Sequence, residues 1–131
     1  MWAADAASAA LGIELIDWGP GRATLRMTVS QAMVNGHDIA HGGLVFALAD
    51  SAFAVACNSH GPVTVAAGAG ADIVFVAPAR LGDVLVAEAR EQVVFGRSGL
   101  TDVRVTTADG DTVVALFRGR SRTLARPIEA P

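Results

Sequence analysis

The sequence predicts an α+β fold in which a curved antiparallel sheet wraps around one long central helix, and three observations lead there. The run at 43–57 is apolar almost all round the helical period. Other segments alternate or run apolar over strand-like lengths and are separated by short turn signals. The composition is 52% hydrophobic but only 5% aromatic, so Ala and Val must fill the interior. A helix apolar on every side has to be buried, and in 131 residues only the strands are available to cover it. The whole chain, 1–131, is therefore read as a single domain with one core.

The elements follow in order. The Ala-rich start at 3–10 predicts a short helix packed across one edge. The segment 12–18 reads as a strand, and so does the stretch in which Ala23, Leu25, Met27 and Val29 alternate with Thr24, Arg26 and Thr28. Gly19-Pro20-Gly21 between them marks a hairpin. A polar loop holding Asn35, Gly36, His37 and Asp38 leads into the central helix, which is expected to end near Asn58 and Gly61. Four more strands are predicted at 63–76, 84–95, 100–107 and 112–124, with Asp109-Gly110 turning the last hairpin. Short connections imply antiparallel neighbours. One thin sheet leaves open edges and cannot cover every face of the helix, so self-association as a homodimer is expected.

Charge and composition exclude several functions. The net charge is −3, and the ten basic residues are all arginine and dispersed, which leaves no electrostatic footprint for nucleic acid. The amino terminus lacks a basic segment followed by an apolar one, and 43–57 is too short to span a bilayer and carries Asp50, so the reading is a cytoplasmic protein without membrane partners. Cys57 is the single cysteine; it forms no intramolecular disulfide or Cys-x-x-Cys motif and is read as a buried small hydrophobe.

Asp50 is the anomaly that points to chemistry. It is the only charged side chain in 43–57, with Leu48, Ala49, Ala52 and Phe53 around it. An unpaired buried carboxylate costs several kcal/mol or takes up a proton, so such a residue is either paired with an arginine or functional. The second feature is His41-Gly42-Gly43 at the start of the same helix. A helix amino terminus presents free N–H groups and a partial positive charge, and glycines let a ligand oxygen come close, which together make an oxyanion hole. One such donor contributes on the order of 3 kcal/mol to an acyl-transfer transition state. By itself a Gly-Gly step also fits a turn or close packing. Gly42 and Asp50 are eight positions apart, about 12 Å along one helix, too far to serve one carbonyl. Two helices facing each other across a two-fold axis would bring Asp50 of one subunit to Gly42 of the other.

The residues Val34-Asn35-Gly36-His37-Asp38-Ile39-Ala40-His41-Gly42-Gly43, followed by Leu48-Ala49-Asp50-Ser51-Ala52-Phe53 through Asn58, resemble the PaaI-type thioesterases, the phenylacetate-pathway branch of the hotdog-fold family. The likeness continues through Pro78 to Asp83, Gly96-Arg97-Ser98-Gly99 and Leu116 to Ser121. It implies the hotdog fold and an acyl-CoA thioesterase acting on phenylacetyl-CoA or ring-hydroxylated relatives. No cofactor or metal is implied, since coenzyme A is part of the substrate. It further implies Asp50 as nucleophile or general base, Gly42 as the carbonyl-polarising amide, Asn35 and His41 as residues that position thioester or water, and a homotetramer of two dimers. Where some relatives carry Ser or Thr on a strand, this chain has Gly68, which offers no hydroxyl to place water there.

Other candidates are weaker. His37-x-x-x-His41 has no third metal ligand in the pattern. Arg118, Arg120 and Arg122 share one face of a strand, which suits coenzyme A phosphates less well than a solvated surface. Arg97 and Ser98, in a Gly-flanked stretch, are candidate pantetheine or phosphate contacts, and an ordinary turn explains them equally. Gly43, Phe46, Phe53 and the stretch 68–71 are candidates for the acyl pocket. Two rival functions share the scaffold. A hotdog hydratase or dehydratase separates its His and Asp by one residue, whereas His37 and Asp38 are adjacent; a non-catalytic acyl-CoA binding module has no need of Asp50.

Overall fold

A computed structural model describes residues 2–60 and 66–124. In chain order its elements are α1 (Ala6–Ala10), β1 (Glu14–Gly19), β2 (Arg22–Thr28), α2 (Gly42–Cys57), β3 (Ala66–Phe75), β4 (Val84–Phe95), β5 (Ser98–Thr107) and β6 (Val113–Thr123). The strands form one antiparallel sheet in the order β1-β2-β4-β5-β6-β3, with β1 and β3 at its edges. This is the curved sheet around a central helix that the patterning predicts. The strand expected at 63–76 is described from Ala66, and its first three residues, like the helix end near Gly61, lie outside the described residues.

Alternation decides which face of each strand is dry. Ala23, Leu25 and Met27 on β2, Leu85, Ala87 and Ala89 on β4, and Val103 and Val105 on β5 are all buried against α2. They meet Val45, Leu48, Ala49, Ala52 and Ala56 of the helix. The many alanines on both sides let helix and sheet approach closely, and each methylene removed from water there adds about 0.8 kcal/mol. Among the outward residues, Arg118 on β6 forms a bidentate ion pair with Asp102 on β5 (2.6 and 3.0 Å). That places the arginine row on a solvated surface.

Turns close the sheet tightly. Gly96-Arg97 is a two-residue turn between β4 and β5, and Gly96 takes φ 60°, a left-handed conformation that favours glycine. At the amino end the Asp5 carboxylate accepts from Ser8 N–H (2.9 Å) to cap α1, and the Ser8 hydroxyl lies 2.8 Å from that of Ser51, so α1 is tied to the middle of α2.

The sheet covers α2 on one side only, as expected where one thin sheet packs on a single helix. Gly43 and Asp50 are exposed, Ala47 and Ala54 are half-buried between them, and the spacing 43, 47, 50, 54 is one stripe along the helix. Val74, Phe75 and Val76, at the end of the β3 edge strand and just beyond it, are exposed as well.

Candidate active site

His41 caps the helix that carries the candidate residues. Its Nδ1 accepts a hydrogen bond from Gly43 N–H at 2.9 Å. The His41 carbonyl accepts from Leu44 and Val45 N–H (2.9 and 3.3 Å). Of the first turn, only Gly42 N–H has no acceptor among the described residues. The Gly43 amide is already engaged, because the imidazole of the capping residue reaches forward two residues to it. Gly42 lacks a side chain for a different reason, since a Cβ there would stand 3.0 Å from the Phe75 ring.

Asn35 organises the loop that delivers His41. Its Oδ1 accepts from His37 N–H (2.9 Å) and Ile39 N–H (3.3 Å), an Asx-type turn that folds the loop back on itself. Asp38 sits at φ 57° within that turn. The Asn35 side-chain oxygen is therefore committed to the loop, while its amide nitrogen donates to no described residue.

Asp50 is not buried in the single chain, contrary to the sequence expectation, and it has no hydrogen bond or ion pair among the described residues. No arginine among the described residues pairs with it. Desolvation by the surrounding protein nevertheless raises its pKa above the usual carboxylate value. It borders a concavity of about 370 Å³ lined by Phe46, Phe53, Ala54, Cys57, Gly68 and Ala71. Phe46 packs edge-on against Phe117, with centroids 5.4 Å apart. Cys57 is buried, and desolvation pushes its thiol up to about 11, so it is a packing residue rather than a thiolate.

The candidate residues do not form one cluster in one chain. Gly42 borders a different hollow, with Val45, Phe75, Val76 and Pro78, that shares no residue with the Asp50 concavity. Ser98 borders a third hollow beyond the carboxyl end of α2, with His60, Glu91 and Ser121. Arg97 is exposed in the adjoining turn. Sequence reasoning missed Phe75, Gly119 and Thr101, which are placed by contacts and registers between distant strands; no local pattern announces them.

Comparison with known proteins follows the same lines. A family profile described as the thioesterase superfamily matches residues 37–114. The acyl-coenzyme A thioesterase PaaI of Escherichia coli K12 is 41% identical over 128 residues, which covers 98% of this chain and 89% of that protein. The solved structure of the E. coli PaaI protein from the phenylacetic acid degradation operon superposes with a TM-score of 0.92 at 39% identity, covering 98% of this chain and 91% of that one. A mutant of the phenylacetic acid degradation protein PaaI from Thermus thermophilus superposes with a TM-score of 0.85 at 34% identity, covering 92% of this chain and 100% of that one.

Proposed function

The chain belongs to the thioesterase superfamily and is an acyl-CoA thioesterase, and from that premise we propose which substrate it takes and how two subunits share the chemistry. The substrate is an aryl- or small acyl-CoA of the phenylacetyl-CoA or hydroxyphenylacetyl-CoA type, cleaved to the free acid and coenzyme A. Asp50 of one subunit acts as general base or nucleophile. The Gly42 amide of the partner subunit polarises the thioester carbonyl. Asn35 and His41 position the thioester or the water, and Gly43, Phe46, Gly68, Arg97 and Ser98 contact the substrate. No cofactor is required, because coenzyme A arrives with the acyl group.

The observation that carries this reading is the unpartnered Asp50 carboxylate on the uncovered face of α2, in a hollow separate from that of the one unengaged amide. Within a chain the two are about 12 Å apart along the helix. Across a homodimer each can complete the other's site, giving two equivalent sites. In the general-base route Asp50 takes a proton from water as the hydroxyl attacks the carbonyl. The oxyanion gathers at the Gly42 amide, and the tetrahedral intermediate expels the coenzyme A thiolate, which takes up the proton. In the nucleophilic route an Asp50 oxygen attacks first, the thiolate leaves, and water then cleaves the mixed anhydride. The exposed β3 edge and Val74, Phe75 and Val76 favour burial against a second copy, and two such dimers would make a homotetramer.

The test is thiol release from a panel of aryl and aliphatic acyl-CoA substrates, run beside an enoyl-CoA hydration assay. Hydration without thiol release, or tight binding with neither, would replace the hydrolase reading. The shared site is tested by mixing two inactive variants, Asp50→Asn and Gly42→Pro, under subunit exchange. Recovery of about a quarter of the wild-type activity is expected, because half of the randomly mixed dimers regain one of two sites. No recovery despite exchange would place both groups in one chain.

A further inference from the structure

Phe53 lines the Asp50 concavity while only 3% exposed, and its ring rests on one glycine from each of two strands. A Cβ at Gly119 on β6 would stand 2.7 Å from the ring, and one at Gly68 on β3 would stand 3.4 Å away. Neither glycine has a left-handed backbone, so space for the ring rather than conformation excludes a side chain at Gly119. Beside Gly119 on β5 is Thr101, fully buried, whose Oγ1 has no hydrogen-bond partner among the described residues. One helical turn beyond Phe53 is Cys57, and two residues beyond Gly119 on the same face of β6 is Ser121. Both line a second hollow of about 100 Å³ with His60, Glu91 and Ser98. Cys57 borders the first hollow as well. The ring therefore borders the cavity that reaches Asp50 and lies against Gly119, the register neighbour of Thr101.

The structure assigns Phe53 as the floor of the acyl pocket, the residue that sets how deeply an acyl group enters. This rests on the thioesterase reading above. At about 370 Å³ the cavity is at the small end of ligand sites, which suits one aromatic ring or a chain of a few carbons. Removing the ring would open space at Gly119, whose register neighbour Thr101 has a buried Oγ1 without a partner among the described residues, so a deepened pocket would favour longer chains and, among these, ones with a polar end.

The test is kcat/KM on acetyl-, hexanoyl-, decanoyl-, 10-hydroxydecanoyl- and phenylacetyl-CoA for wild type, Phe53→Ala, Phe53→Leu and Gly119→Ala, each checked for folding by circular dichroism. Phe53→Ala is expected to raise the decanoyl-to-phenylacetyl ratio about tenfold or more, the scale of one or two methylenes in an apolar pocket. Phe53→Leu should give a smaller shift of the same sign and keeps the test open if the alanine variant does not fold. Gly119→Ala pushes the ring toward Asp50 and should lower phenylacetyl relative to acetyl turnover about tenfold. Adding Thr101→Val to Phe53→Ala should abolish any advantage of 10-hydroxydecanoyl over decanoyl. Folded, active Phe53 and Gly119 variants with wild-type substrate ratios would overturn the assignment and leave the thioesterase reading standing. A wild-type enzyme silent on every thioester would sink both.

Discussion

The two faces of α2 are built by opposite rules. On the covered face Val45, Leu48, Ala49, Ala52 and Ala56 join the buried apolar core of the sheet. On the uncovered face Gly43, Ala47, Asp50 and Ala54 form a stripe of small residues around one carboxylate. The covered face stabilises the fold. The uncovered face contributes little to the stability of a single chain and holds a charge where protein raises its pKa. Substitutions on the first should therefore cost stability, and substitutions on the second should cost turnover.

The sharpest break in that comparison is Asp50→Asn. Thiol-release assays should show turnover lower by at least about 100-fold, the usual scale for loss of a general base, with folding retained. Comparable turnover in mutant and wild type would remove Asp50 from the chemistry. Gly42→Pro comes next. Proline fits the first helical position, and His41 at φ −59° and ψ 131° already has the extended backbone that precedes proline. The exchange deletes the one unengaged N–H, at the expense of a small shift of the exposed Phe75 ring. Turnover should fall about 100-fold with the helix content of the circular dichroism spectrum unchanged.

Leu48→Ala tests the covered face. Leu48 is fully buried, and its truncation should lower stability by about 3 kcal/mol in urea unfolding, with turnover per folded molecule close to wild type. A stable but inactive variant would show that the two faces are not separable.

The smallest effect concerns pH. The folded-state pKa of Asp50 is raised above its ordinary value of 3.8, so the folded chain holds that proton more tightly than the unfolded one. Asp50 therefore favours the folded state most at pH below 3.8, and that contribution is lost as pH rises through the raised value. Asp50→Asn should match or exceed the thermal midpoint of wild type at neutral pH, with the gap closing in acid. A mutant that is less stable at neutral pH would mean that the carboxylate has a stabilising partner. The same ionisation should make kcat/KM fall, as pH is lowered, through a pKa above 3.8.

Much of this was legible in residue order. The alternation of Ala23, Leu25, Met27 and Val29 identified a half-buried strand, and the lone Asp50 in an apolar helical run singled out the carboxylate. His41-Gly42-Gly43 located the helix amino terminus, because capping and glycine preferences act over two or three neighbours. Which residues of that helix face away from the sheet was not legible in the same way, because alanine and glycine look equally apolar on a covered and an uncovered face.

Local chemistry, then, determined the kinds of element, their order and the candidate acid, since periodicity and capping depend on residues close in sequence. Only the tertiary structure decided that the Gly43 amide is engaged and the Gly42 amide is not, that Asp50 faces outward, and that Phe53 lies on Gly119. Those facts depend on the curvature of the sheet, on which rotamer an imidazole adopts, and on strand registers that join residues more than sixty positions apart. Curvature and register are settled by the packing of the whole domain, so no short stretch of sequence contains them.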